Sequence, residues 1–225
     1  MTNEPLYISI EGGIGASKST LMKFLLEFVE KKGKKMVEIP EPVDQWKESG
    51  ILDAFYQNVD KYAYTFQTVA FSTRVEMIKR KWRENPNAQI FISERCPLSD
   101  RLFVDLLRDS GSFDEPSFIA YQLWADSWES MVPKPPDLIV YLATPPEECL
   151  RRMKIRNRSS EVDAVDLDYQ TKLIQKHDEK FGSGVAMSPS GKKIPVLILK
   201  EEHDFHVNEN SKARIIRLLE ERGVF

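Results

Sequence analysis

The residues best suited to chemistry lie in one glycine-rich segment near the start of the chain. The segment reads Gly12, Gly13, Ile14, Gly15, Ala16, Ser17, Lys18, Ser19, Thr20. It fits the phosphate-binding pattern G-x-x-x-x-G-K-[ST] at Gly12, Lys18 and Ser19, and it differs at Ser17, where the pattern has a second glycine. In such a loop, backbone N–H groups converge on a polyphosphate, a lysine reaches the outer phosphates and a serine hydroxyl ligates Mg²⁺. The spacing therefore predicts a nucleoside triphosphate site, against the alternative of a glycine-rich turn that binds nothing.

Ser17 is the one departure from that pattern. Glycine relaxes a backbone geometry that a Cβ atom disfavours, and serine adopts the same geometry at a cost of about 1–2 kcal/mol. A hydrogen bond from the serine hydroxyl to a phosphate would offset part of this cost. We therefore expect triphosphate binding to be weakened but to survive.

Further candidate residues follow the second and third predicted strands. Glu41 comes after strand 35–39, and Glu94 and Arg95 come after strand 89–93. A carboxylate at such a strand end can ligate Mg²⁺ through water or accept a proton from a hydroxyl, and an arginine can stabilise a transferring phosphoryl group. Each charge taken alone is more typical of a solvated loop. Together, at strand ends that meet near the glycine-rich loop, they indicate phosphoryl transfer.

A basic run occupies the end of a later helix. Arg152 and Arg156 are spaced i, i+4 and so share a helix face, and Arg158 follows. Arginine forks match phosphate oxygens, which suits a cover over donor phosphates. Taken alone, the run is more typical of a solvated helix end or a small nucleic-acid patch.

The elements that must position these residues alternate along the chain. The predicted strands are 6–11, 35–39, 89–93, 138–142 and 196–199, and the predicted helices are 20–31, 62–81, 116–128, 146–156 and 211–221. Short apolar strands alternating with helices predict an α/β fold with a doubly wound, five-stranded parallel sheet. We expect one mobile loop, at 182–191, and an exposed helix face around His177.

Size and charge restrict the class of protein. A chain of 225 residues suits one domain, and a net charge of −3 argues against a surface that coats nucleic acid or an anionic membrane. No apolar run approaches the ~20 residues of a membrane span, and the acidic start resembles no targeting peptide. With two cysteines far apart in sequence, Cys96 and Cys149, free thiols and a cytoplasmic location are expected.

In these motifs the sequence resembles the deoxynucleoside kinase family, most closely its deoxycytidine and deoxyguanosine kinase branch. The segments that carry the resemblance occur in family order over essentially the whole chain: 12–20, Glu-Pro-Val-Asp-Gln-Trp at 41–46, 64–74, Glu-Arg-Cys-Pro-Leu-Ser-Asp-Arg at 94–101, and 149–158. The resemblance implies a P-loop kinase fold in one domain, 1–225, with an arginine-bearing lid at about 151–163. It also implies transfer of phosphate from ATP with Mg²⁺ to a deoxynucleoside 5′-hydroxyl, a role in nucleotide salvage, and a homodimer packed through helices like 62–81 and 116–128.

The resemblance also assigns roles around the phosphates. Glu41 resembles the general base that takes the 5′-hydroxyl proton, and Arg95 the arginine beside that hydroxyl. Lys18 and Ser19 resemble the phosphate and Mg²⁺ contacts, and Glu94 the carboxylate of the magnesium shell. Arg152, Arg156 and Arg158 match the arginines of the lid.

Other residues resemble the nucleoside-binding set of the family. Trp46 and Phe66 match the aromatic walls around the base, and Gln67 the amide that reads the base edge. Tyr56 and Asp168 match the pair that binds the 3′-hydroxyl, although the family has glutamate at the second position.

The preferred base is argued from four further positions. Arg74 and Asp100 match an ion pair in the cytidine and guanosine kinases of the family, where thymidine-accepting members have an apolar pair. Ala70 matches a small residue beside it. Val104 stands in register with a family phenylalanine, and a smaller wall there would admit a purine. These residues predict deoxycytidine or a purine deoxynucleoside over thymidine.

Two alternatives remain open at this point. A nucleoside monophosphate kinase shares the loop and the lid, but Glu41 at the acceptor oxygen would repel a substrate phosphate. A nucleotide-binding regulatory protein that has lost turnover is favoured by Ser17 alone.

Overall fold

A computed structural model describes residues 4–157, 164–200 and 204–225 of the chain. The strands of the described part are β1 Leu6–Gly12, β2 Met36–Ile39, β3 Ile90–Glu94, β4 Leu138–Leu142, β5 Val185–Met187 and β6 Lys193–Leu199. Its α-helices are α1 Lys18–Lys31, α2 Val43–Glu48, α3 Ile51–Gln57, α4 Val59–Glu84, α5 Pro97–Asp109, α6 Glu115–Ala125, α7 Pro146–Arg156, α8 Leu167–Phe181 and α9 Glu209–Glu220. The predicted α/β class is confirmed.

The strands form one sheet in the order β2-β3-β1-β4-β6-β5. Neighbouring pairs from β2 to β6 are parallel, with Ile8 of β1 opposite Ile92 on one side and Leu138 on the other. Reversal of the strand order on either side of β1 makes the sheet doubly wound. The carboxyl ends of β1, β3 and β4 therefore meet at one edge, where such folds bind their ligands.

Helices cover both faces of this sheet and give it two apolar cores. On one face Phe91 stacks on Trp82 of α4 with ring centroids 4.2 Å apart. On the other face Ile8 and Ile92 pack with Leu21 and Leu25 of α1. Strands buried on both faces read as continuous apolar runs, which explains why periodicity located them.

The prediction of five strands was wrong, because the described part of the chain forms a sheet of six. The extra strand, β5, pairs antiparallel with β6, with Ala186 opposite Ile194. It lies inside 182–191, where a mobile loop was predicted. A three-residue edge strand with Val185 and Met187 exposed carries too little apolar pattern to be recognised.

Four helices were missing from the sequence-based element list: α2, α3, α5 and α8. Each lies directly beside a proposed motif, where polar and charged residues hide the helical period. α5, for example, begins with Pro97 after an extended Cys96. These helices carry much of the wall of the site.

Within the described residues, no helix combines the length and apolar character needed to cross a bilayer.

Candidate active site

The glycine-rich loop joins β1 to α1 at the carboxyl edge of the sheet. Gly12 has a φ of 146° and Gly15 a φ of 87°, both rarely adopted by residues with a side chain. A Cβ atom on Gly12 would lie 2.8 Å from the carbonyl oxygen of Leu142, and one on Gly15 would collide with the carbonyl of Cys149. The loop is therefore pressed between β4 and α7, and these two positions require glycine.

Ser17 ends this loop and precedes the first residue of α1. Its φ of 68° and ψ of 28° are left-handed, the conformation that makes glycine the usual residue here. The Ser17 hydroxyl accepts a hydrogen bond of 3.1 Å from Nη1 of Arg152 on α7. The serine thus has a partner in the chain itself, on the helix that bears the basic run.

Lys18 is buried beneath the loop. Its Nζ donates to the carbonyl oxygens of Gly13 at 2.8 Å and Gly12 at 3.3 Å, and it lies 3.8 Å from a carboxylate oxygen of Glu94. Burial, reinforced by the positive charge of Arg95, lowers the pKa of Lys18 to about 8. An anion bound in the loop would give this ammonium group a charged partner.

Ser19 and Glu94 form the arrangement most suited to a metal ion. The Ser19 hydroxyl donates to Oε2 of Glu94 at 2.7 Å. No group of three His, Cys, Asp or Glu side chains that could hold a metal occurs in the described part of the chain. A hydroxyl and one carboxylate fit Mg²⁺, which keeps most of its ligands as water and phosphate oxygens.

Glu41 lies between two arginines. Nη2 of Arg74 donates to its Oε1 at 2.8 Å, and Nη1 of Arg95 lies 3.3 Å from both of its carboxylate oxygens. Burial acts to raise the pKa of Glu41, but Arg95, Arg74 and Lys18 outweigh it and lower this pKa to about 2. Glu41 is therefore an oriented carboxylate at neutral pH.

Arg95 connects Glu41 to the glycine-rich loop. Its Nη2 donates to the carbonyl oxygen of Gly12 at 3.0 Å, and its guanidinium carbon lies 4.9 Å from the centre of the Phe103 ring. The backbone at Arg95 is left-handed, with a φ of 63°. Strain of this kind persists where the surrounding contacts over-determine it, as they do here.

Arg74 of α4 is the second arginine that contacts Glu41. Its Nε lies 3.0 Å from both carboxylate oxygens of Asp100 on α5, and its Nη1 donates to the carbonyl oxygen of Glu94 at 2.9 Å. The Arg74–Asp100 pair expected from the sequence is therefore present and buried. It also reaches Glu41, which the sequence had not indicated.

A deep cleft extends from the glycine-rich loop past Glu41 and contains about 1130 Å³ of empty space, including the part open to solvent. Its far end is aromatic: Trp46 meets Phe66 edge to face at 5.5 Å, and Phe66 stacks on Phe55 at 4.6 Å. Gln67 is buried and lines the cleft, as do Tyr56 and Ala70. An apolar slot with one amide side chain suits a planar, hydrogen-bonding ligand.

Comparison with known proteins agrees with this geometry. The sequence model of one family, described as deoxynucleoside kinase, matches residues 8–222. The chain belongs to the deoxynucleoside kinase family. As the sequence predicted, it is an ATP-dependent deoxynucleoside kinase.

Relatives in this family include proteins from viruses and animals. A probable deoxycytidine kinase of fowlpox virus is 33% identical over 93% of this chain and 84% of its own length. Deoxycytidine kinase 2 of Gallus gallus is 33% identical over 95% of this chain and 88% of its own length. A thymidine kinase of Ictalurid herpesvirus 1 is 35% identical over 80% of this chain and 76% of its own length.

Two of the residues predicted for the nucleoside site of this kinase lie elsewhere. Val104 is fully buried in the apolar core, and Phe103 lines the cleft in its place. Asp168 has a side chain that is 69% exposed and pairs with Lys172 at 2.6 Å, while Tyr169 lines the cleft. In both cases the neighbouring residue faces the site. The motifs did not reveal which side of α5 and of α8 lies against the cleft, so each prediction was one residue out of register.

The arginines predicted to form a lid are only partly described. Arg152 is bound by Glu148 at 2.6 Å as well as by Ser17, and Arg156 lines the cleft. Arg158 and the rest of the predicted lid to residue 163 lie outside the described residues. Of the predicted arginines, Arg152 thus contacts the glycine-rich loop and Arg156 the cleft.

The expectation of an exposed face around His177 was wrong. His177 is fully buried in α8, where its ring lies parallel to that of Tyr141 at 5.9 Å and its Nδ1 hydrogen-bonds the carbonyl oxygen of Leu173 at 2.8 Å. Burial lowers its pKa to about 3, so the ring is neutral. Exposed charged residues such as Asp178 and Glu179 adjoin His177 in sequence, so the local composition is typical of an exposed helix although His177 itself faces the core.

Proposed function

We propose that this kinase transfers the γ-phosphate of Mg·ATP to the 5′-hydroxyl of deoxycytidine or a purine deoxynucleoside in preference to thymidine, as a salvage enzyme of the cytoplasm. The observation that carries this proposal is the position of Glu41. Its carboxylate, held by Arg74 and Arg95, lies between the phosphate loop and the aromatic cleft. A carboxylate at that junction suits an attacking hydroxyl and repels a phosphate acceptor.

The donor end is assigned to the loop and the lid. Residues 12–20 would cradle the triphosphate with Lys18 on its outer phosphates. Arg152, Arg156 and Arg158 would cover it. Ser19 and Glu94 would hold Mg²⁺, which when bound neutralises charge on the β- and γ-phosphates.

The acceptor end is assigned to the cleft. Gln67 would pair with the base edge between Trp46 and Phe66, and Tyr56 would contact the sugar. Phe103, rather than Val104, supplies the neighbouring wall. Asp168 remains a candidate for the 3′-hydroxyl only if the start of α8 moves when substrate binds, because its side chain is exposed.

Glu41 would accept the 5′-hydroxyl proton while Arg95 and Lys18 stabilise charge on the transferring group. A carboxylate with a pKa near 2 is a weak base. Phosphoryl transfer tolerates this, because its loose transition state places little demand on the nucleophile and depends mainly on positioning and charge stabilisation. Glu41 therefore orients the hydroxyl and, although a weak base, takes its proton as the phosphoryl group is transferred.

The base preference is assigned to Arg74, Asp100 and Ala70. The Arg74 guanidinium occupies the space beside Ala70 with fixed donors, which disfavours the methyl group of thymine. One relative, from Ictalurid herpesvirus 1, is itself a thymidine kinase, so thymidine is one of the acceptors in the assay that tests this proposal.

The quaternary structure is part of the proposal. We take the whole chain, 1–225, as one kinase domain that forms a homodimer through α4 and α6. α6 is apolar on its outer side as well as its inner side, since Ile119 is 49% and Leu123 80% exposed. An apolar helix face of this kind is typical of a surface that another chain covers.

The test is a phosphate-transfer assay with Mg·ATP as donor. The acceptors are deoxycytidine, deoxyadenosine, deoxyguanosine, thymidine and deoxycytidine monophosphate. We expect monophosphates from the first three, little from thymidine and no diphosphate. Diphosphate formation would indicate a nucleoside monophosphate kinase instead, and nucleotide binding without any product would indicate a regulatory protein.

A further inference from the structure

Ser17 combines an unfavourable backbone conformation with a specific long-range contact. Its left-handed φ of 68° is one that a side chain disfavours by about 1–2 kcal/mol. Its hydroxyl accepts a hydrogen bond of 3.1 Å from Arg152, a residue 135 positions away in sequence. A glycine would remove both the strain and the contact.

Arg152 is held on two sides. Its Nε donates to Glu148 at 2.6 Å within α7, and its Nη1 donates to Ser17 on the loop. Its side chain is 11% exposed. The guanidinium group is therefore held beside the phosphate loop by residues of the chain itself.

The Ser17 hydroxyl keeps one unused function. It accepts from Arg152, and its own proton has no acceptor in the part of the chain that the structure describes. Since a serine hydroxyl can accept and donate at once, it can contact the arginine and a phosphate oxygen together.

We propose that Ser17 is a positioning residue for donor binding, which fixes Arg152 against the phosphate loop and links it to the donor phosphates. The proposal rests on the proposed function, because it assumes that a nucleoside triphosphate lies in the loop. Pre-placing the arginine removes part of the entropy that its ordering would otherwise cost on binding. This gain more than offsets the strained backbone, which reverses the expectation from the sequence that Ser17 weakens triphosphate binding.

Two substitutions separate the effect of the Ser17 hydroxyl on donor binding from the effect of the strained backbone. Ser17→Ala keeps the Cβ atom and loses the hydroxyl, whereas Ser17→Gly loses both. The measurement is the Kd of a non-hydrolysable Mg·ATP analogue by calorimetry, together with kcat and KM for both substrates. We expect both variants to bind the analogue about 10- to 100-fold more weakly, as for loss of one hydrogen bond to a charged group, with the KM for deoxycytidine unchanged.

A double-mutant cycle tests whether Ser17 acts through Arg152. In an Arg152→Gln background, Ser17→Ala should weaken analogue binding at least threefold less than it does in the natural chain, because only the direct contact of the hydroxyl with phosphate is then left to lose. The matched control is Lys154→Gln, an exposed cation on the same helix, in which the full effect of Ser17→Ala should remain.

The proposal is overturned if Ser17→Ala binds the analogue as tightly as the natural chain, or if its effect is undiminished in the Arg152→Gln background. Tighter binding by Ser17→Gly than by the natural chain would also overturn it, since strain would then outweigh the contact. If the natural chain binds the analogue but forms no monophosphate, the proposed function fails while the cycle still decides the role of Ser17.

Discussion

Arg74 connects Asp100 to Glu41, with its Nε 3.0 Å from the first carboxylate and its Nη2 2.8 Å from the second. One guanidinium group thereby links the residue assigned to base preference with the residue assigned to the attacking hydroxyl. Substitutions that alter base preference at Arg74 will therefore also alter turnover.

Replacing Glu41 by Gln should lower kcat by about 10²- to 10⁴-fold, because the acceptor of the 5′-hydroxyl proton is lost. The glutamine oxygen can still accept from Arg74, so deoxycytidine binding measured by calorimetry should change little. The control is Asp44→Asn, another carboxylate on the cleft, which should keep kcat within a few-fold. Unchanged kcat in Glu41→Gln would remove Glu41 from its assigned role.

The same variant should change the pH dependence of stability. Glu41 has a pKa lowered from 4.5 to about 2 by the arginines that outweigh its burial, so its stabilising contribution is complete above pH 4.5 and is lost as pH falls toward 2. The difference in unfolding free energy between the natural chain and Glu41→Gln should therefore shrink by up to about 3 kcal/mol over that window. Urea denaturation from pH 7 down to 3 measures it, and a constant difference would contradict the assignment.

Donor binding should take up protons near pH 8. The pKa of Lys18 is lowered to about 8 by burial and by Arg95, so about half of this side chain is uncharged at that pH, and a bound polyphosphate restores the charge. Calorimetry of the Mg·ATP analogue in buffers of different ionisation enthalpy should give an uptake of about half a proton at pH 8 and almost none at pH 6.5. Equal uptake at both pH values would contradict this.

Asp100→Ala alone should destabilise the fold by about 3–5 kcal/mol, because it leaves the Arg74 charge buried with one partner fewer. Adding Arg74→Met should recover part of that loss and raise the ratio of kcat/KM for thymidine over deoxycytidine. Turnover of both substrates should fall, since Glu41 loses its 2.8 Å contact. The control is Arg101 and Asp105, a partly exposed ion pair on α5. Arg101→Met with Asp105→Ala should leave the ratio of kcat/KM for thymidine over deoxycytidine unchanged.

Leu123→Glu should convert the proposed homodimer to a monomer. This side chain is 80% exposed on the apolar outer face of α6, and a buried carboxylate there would be costly. Sedimentation velocity measures the change, with Val207→Glu, exposed to 77% elsewhere, as the control that should remain dimeric. A natural chain that sediments as a monomer would contradict the proposal.

Local patterns in the amino-acid sequence were enough to predict the strands and the phosphate loop. Apolar runs located the five parallel strands to within three residues at each end, and β4 at both ends without error, because strands buried on both faces have continuous apolar composition. The spacing of Gly12, Lys18 and Ser19 predicted the phosphate loop, since a loop that cradles phosphate needs those residues in that order. The family followed from the order of five such motifs.

How the side chains meet depends on the three-dimensional fold and could not be predicted from local patterns. Phe103 rather than Val104 faces the cleft, and His177 is buried, because the orientation of a helix depends on what packs against it and not on its own period. Contacts such as Arg74 with Glu41 and Arg152 with Ser17 join residues 33 and 135 positions apart. No local pattern encodes them, since they exist only when the sheet brings its strand ends and helices together.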